Sequence, residues 1–191
     1  MPVNKKVITI DAGHGEWDPG KQNRNTDEKD LNLAVAEKLQ VLLETGGAVV
    51  FVTRADDKAL SDKKRSDLSA RAYLANAAVS DIFVSVHHNS YESPSAYGAQ
   101  VFYFDSSERS AILGQAIQNR LNEFLPGQHK RDAKANDKYY VLKKTAMPAV
   151  IVECGFMSNP RELEMLKDES YQDMLAWAIY MGVCDYFISK E

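Results

Sequence analysis

Three apolar, β-rich runs in this chain each finish against a carboxyl or imidazole side chain. VITI leads into Asp11-Ala-Gly-His14-Gly, FVSV into His87-His88-Asn-Ser, and PAVIV into Glu153-Cys-Gly-Phe. Short continuous runs of this composition read as buried strands. In an open α/β sheet, ligands bind beyond the carboxyl ends of the strands, so side chains distant in sequence converge there on one crevice. The runs therefore limit the fold and place its chemistry in one step.

The segments between them have a helical period. Lys29 to Leu43 carries Leu31, Val35, Leu39 and Leu42, and Leu68 to Ala77, Glu108 to Phe124 and Tyr171 to Phe187 also read as helices. Further strands are expected at Ala48–Thr53, Gly98–Phe104 and, as a short edge strand, Tyr139–Leu142. The βαβαβ rhythm predicts an α/β fold with a mostly parallel or mixed central sheet of about six strands and helices on both faces. No internal repeat, low-complexity tract or linker divides the 191 residues, so residues 1–191 are expected to form a single catalytic domain.

Charge excludes some functions. A formal net charge of −4 lacks the basic footprint of a nucleic-acid binder, and Lys63-Lys64-Arg65 and His129-Lys130-Arg131 are short enough to be solvated faces. No apolar run reaches membrane-spanning length, and the opening MPVNKKVITI lacks the apolar core of a signal peptide. Two cysteines are too few for a disulfide framework, and Cys154 reads as a buried free thiol.

Gly13, Gly15 and Gly20 resemble a phosphate cradle only superficially. Their spacing is G-x-G-x-x-x-x-G with no helix directly after it, and no P-loop motif occurs anywhere, so the glycines are expected to let the backbone turn around His14. His14 and His87 occupy equivalent places after strands, and a catalytic zinc takes about three protein ligands with one position left open. Glu28, at the start of the first helix, is a natural third ligand, although an acidic residue there also favours the helix dipole. Glu153 ends an apolar run, where a carboxylate pays a desolvation cost unless compensated; such a group suits general acid/base work. His88 is expected to face away from His87, at the rim of the site. With no H-E-x-x-H motif, spacing alone leaves metal-binding and structural readings both open.

Six segments carry a resemblance: DAGHGEWDPG, EKDLNL, FVTR, the L-x-x-R-x-x-x-A-N pattern of Leu68 to Asn76, FVSVHHNS and MPAVIVECGFMSNPRE. Together they resemble the zinc-dependent N-acetylmuramoyl-L-alanine amidases of the autolysin type over about residues 7 to 185, and most nearly the spore-cortex members. The resemblance implies that His14, Glu28 and His87 ligate Zn2+ and that Glu153 is catalytic. It implies peptidoglycan as substrate, cut between the lactyl group of N-acetylmuramic acid and L-alanine. Action would lie outside the cytoplasm on cell wall or spore cortex, and an activating protein partner is known for some members. A monomer is the simplest reading. His88 departs from the pattern, which usually has a small residue there. A zinc exopeptidase is the competing expectation, with Arg54 or Arg71 clamping a free peptide terminus.

Overall fold

The computed structural model describes residues 1–127 and 130–189; His129 lies outside them. In chain order the elements begin with β1 (Val7–Ala12), a small hairpin of β2 (Gln22–Asn23) and β3 (Thr26–Asp27), α1 (Glu28–Thr45), β4 (Val49–Val52), α2 (Lys64–Ala77) and β5 (Ile82–Asn89). They continue with β6 (Gln100–Tyr103), α3 (Glu108–Phe124), β7 (Lys134–Ala135), α4 (Tyr140–Lys144), β8 (Ala149–Phe156), α5 (Pro160–Leu166) and α6 (Glu169–Ile188). Six strands form one sheet in the order β4-β1-β5-β8-β6-β7. The first four in that order are parallel, β6 is antiparallel to β8, and β7 is parallel to β6. This is the expected α/β domain with a mixed, mostly parallel sheet.

Side-chain alternation divides the interior. Ile82, Val84 and Val86 pack into the larger core with Leu39 of α1, Ile117 of α3 and Ile179 of α6. Phe83 and Ile151 face the other way, against Ala75 of α2 and Val141 and Leu142 of α4. Helices therefore cover both faces. The central strands are buried on both sides, which is why they read as unbroken apolar runs. Edge strand β4 instead turns Val49 and Phe51 outward. Each fully buried side chain such as Leu39 or Ile117 contributes about 1.5–3 kcal/mol.

Several elements differ from expectation. Tyr139–Leu142 was expected as an edge strand, but the chain forms helix α4 there. Val141 and Leu142 are adjacent and both bury into the smaller core, which a strand that alternates its side chains cannot offer. Lys143 and Lys144 in its last turn also suit a helix carboxyl terminus. The edge strand is the two-residue β7, too short and polar to show a pattern. Helix α5 lacked an apolar period of useful length, although Asn159 caps it and Pro160 opens it. Strands β5 and β8 run past His87 and Glu153 to Asn89 and Phe156, so both residues lie inside their strands. Cys154 and Cys184 are free and buried.

Candidate active site

Three chain segments bring the site together. The loop after β1 supplies His14, which adopts a left-handed backbone at φ 63°. The first residue of α1 supplies Glu28, and β5 supplies His87. One donor atom from each lies within 4.8 Å of the others, a grouping able to hold a metal ion. Glu28 Oε2 is 3.2 Å from His14 Nε2, and its Oε1 is 2.9 Å from His87 Nδ1. Two glycines make this crowding possible. A Cβ on Gly13 would come within 2.2 Å of the His87 ring, and one on Gly20, at φ 67°, within 2.6 Å of Glu28 Oε2.

Electrostatics follow from that packing. Burial would raise the Glu28 carboxyl, but hydrogen bonds and charge from His14 and His87 outweigh it and hold Glu28 well below the usual carboxylate range. Burial would lower His87, yet its contact with Glu28 carries it above the ordinary imidazole value. Glu153 is the register partner of His87 across β5 and β8. Burial pushes its carboxyl up to about 7; the charge on His87 opposes that rise and Glu28 reinforces it. Its Oε2 is buried without a hydrogen-bond partner, as expected of a group held ready for one. All four side chains line one cleft of about 430 Å³, joined there by Tyr139.

Residues 8–185 match the N-acetylmuramoyl-L-alanine amidase family. The chain is 33% identical to the germination-specific N-acetylmuramoyl-L-alanine amidase of Bacillus subtilis, over all of this chain and 83% of that protein. The chain belongs to the N-acetylmuramoyl-L-alanine amidase family. Solved structures agree. The CwlD amidase of Clostridioides difficile, determined in complex with the GerS lipoprotein, is 38% identical with a TM-score of 0.92 over 98% of this chain and all of that one. The amidase AmiC2 of Nostoc punctiforme is 29% identical with a TM-score of 0.87, covering 96% of this chain and 97% of that one.

In this amidase several supporting residues were missed in the sequence. Asp18 Oδ2 lies 2.9 Å from His14 Nδ1, within range of charge attraction but off the line of a hydrogen bond. Arg71 donates to the carbonyl of His14 at 2.7 Å and of Ala12 at 2.8 Å, and to Asp11 and Asp67. Arg54 donates to the carbonyls of Ala12, Gly13 and Lys29. Both guanidinium groups are buried and committed to holding the His14 loop. Neither is available to clamp a peptide terminus, which removes the feature that the exopeptidase expectation required. His88 does face away from His87, but it is buried beside α1 rather than at the rim, and burial pulls its imidazole down to about 4.

Proposed function

We propose that the amidase holds a zinc ion through His14, Glu28 and His87 and moves protons with Glu153. The bond cut joins the lactyl carbonyl of N-acetylmuramic acid to the L-alanine of the stem peptide. The observation that carries this reading is the meeting of two imidazole nitrogens and a carboxylate within 4.8 Å, in the same cleft as a buried carboxyl with a free oxygen. Two nitrogens and one oxygen are a donor set that zinc accepts, with a position left for substrate. A bound zinc ion supplies Lewis acidity, polarising the amide carbonyl and making water a stronger acid.

The chain's own residues do the rest. Glu153, poised at about 7, takes a proton from the attacking water and delivers one to the leaving nitrogen of L-alanine. A value near the working pH lets one carboxyl serve both transfers. Arg54 and Arg71 fix the main chain of the His14 loop, and Gly13 lets the ring of His87 close on it. Residues 1–191 act as one catalytic domain, outside the cytoplasm, on cell wall or spore cortex. The germination-specific relative supports the cortex as substrate, and the relative solved with a lipoprotein supports a protein partner.

The test is mass spectrometry of the soluble products from purified peptidoglycan, with zinc and in parallel with a chelator. Stem peptides with a free L-alanine amine are expected with zinc and absent with chelator. Release that ignores the chelator would overturn the metal assignment.

A further inference from the structure

His88 interrupts the pattern that the other site residues follow, and its surroundings give it a task. Its side chain is 2% exposed and its Nδ1 lies 2.7 Å from Asn32 Oδ1. The Asn32 amide nitrogen donates to the carbonyl of Gly13 at 3.0 Å and approaches Glu28 Oε1 at 3.4 Å. Both of those are acceptors, so the amide must turn its NH2 to them and its oxygen to His88. An amide oxygen only accepts, which fixes the His88 proton on Nδ1. The main-chain N–H of His88 also donates to Glu28 Oε1, at 3.2 Å. One residue thus acts on the Glu28 carboxylate twice, directly through its backbone and indirectly through Asn32. On the other side, the N–H of Lys21 donates to Glu28 Oε2 at 2.9 Å.

We propose that His88 is a positioning residue of the metal centre: its Nδ1–H locks the Asn32 amide, and the two together hold Glu28 with one oxygen toward each of the imidazoles of His14 and His87. The inference rests on the reading that these three side chains bind zinc. Groups that orient a metal ligand govern affinity because a ligand free to rotate must be ordered when the metal enters. Asn32 stands one helical turn beyond Glu28 and reaches it from within α1. His88 supplies the contact from β5 that engages the amide oxygen and restrains the group against rotation.

The test is the zinc dissociation constant, by competition with a chromophoric chelator, for the wild type, His88→Ala, His88→Asn, Asn32→Ala and the double variant His88→Ala/Asn32→Ala. Thermal unfolding of the metal-free forms runs alongside. His88→Ala is expected to weaken zinc roughly ten- to a hundredfold. His88→Asn, whose amide nitrogen falls where Nδ1 was, recovers most of that affinity. In the Asn32→Ala background the further change to Ala at 88 has little effect, because the two residues act in series. Should His88→Ala not fold, His88→Leu fills the space without the donor and is compared with His88→Asn in the same way. Unchanged zinc affinity with a lowered unfolding temperature would reduce His88 to packing and overturn the proposal, as would fully additive effects of the two single changes. A wild-type protein that binds no zinc would instead overturn the metal reading, and this proposal with it.

Discussion

At Glu153 burial pushes a carboxyl up to about 7. Replacing it with Gln keeps the shape and removes the titratable proton, so Glu153→Gln is expected to retain zinc while turnover falls by about 10²- to 10⁴-fold. Metal content by elemental analysis and product release from peptidoglycan check both halves. Gly13→Ala tests crowding rather than chemistry. Its methyl group would come within 2.2 Å of the His87 ring, so zinc affinity is expected to fall while far-ultraviolet circular dichroism stays that of the folded chain. That His14, Glu28, His87 and Glu153 would meet in one cleft was legible in the sequence, because polar residues directly follow apolar runs and the surrounding motifs have a known order. Asp18 and Asn32 were not, although each stands four residues beyond a proposed ligand. Arg54 and Arg71 were noticed but given the wrong task, because the contacts by which they hold the His14 loop are to main-chain carbonyls, which carry no side-chain signal. His88 was read correctly in direction and wrongly in setting, since alternation says which face a side chain takes but not what waits there.

Helix α5 shows how a short element ties separate segments together. Its cap Asn159 accepts from the N–H groups of Arg161 and Glu162. Glu162 in turn accepts from the N–H groups of Gly98 and Phe156, each at 2.9 Å, tying the end of β8 to the segment before β6. Asn159→Ala is expected to cost about 0.5–2 kcal/mol. Each kcal/mol lowers the unfolding midpoint by roughly 2–4 °C in a chain of this size, which differential scanning calorimetry would read. Among the elements, long periodic helices and buried strands were legible, as Glu108 to Phe124 illustrates. The hairpin of β2 and β3, strand β7 and helices α4 and α5 were not. Helix α4 and strand β7 owe their form to what they pack against or pair with, and a Tyr-Tyr-Val-Leu segment reads as strand until the core it must fill is known.

At the level of the whole molecule, β1, β5 and α2 are pinned together by one buried carboxylate. Asp11 accepts from Thr53, Arg71 and Ser85 at 2.6–2.8 Å. Burial would raise its pKa, but Arg71 and the two hydroxyls together outweigh burial and lower it. A depressed folded-state pKa gives stability that is complete above the unfolded value near pH 4 and drains away as pH falls toward the folded one. Urea unfolding between pH 7 and pH 3 should show that acid slope, and Asp11→Asn should make it shallower, the remainder coming from Glu28 and other carboxyls held low by the fold. At pH 7 the same change is expected to cost about 1.5–3 kcal/mol, because it weakens a charged hydrogen bond while Asp67 still faces Arg71. The sheet order has a consequence of another kind. Strand β8 enters between β5 and β6, so among the described residues the centre of the sheet is closed by the last strand in chain order. Until it is threaded in, His87 has no neighbour at Glu153 and the smaller core lacks Ile151. A chain that ends before that strand therefore lacks both the carboxyl that faces the cleft and the strand that joins the two parts of the sheet.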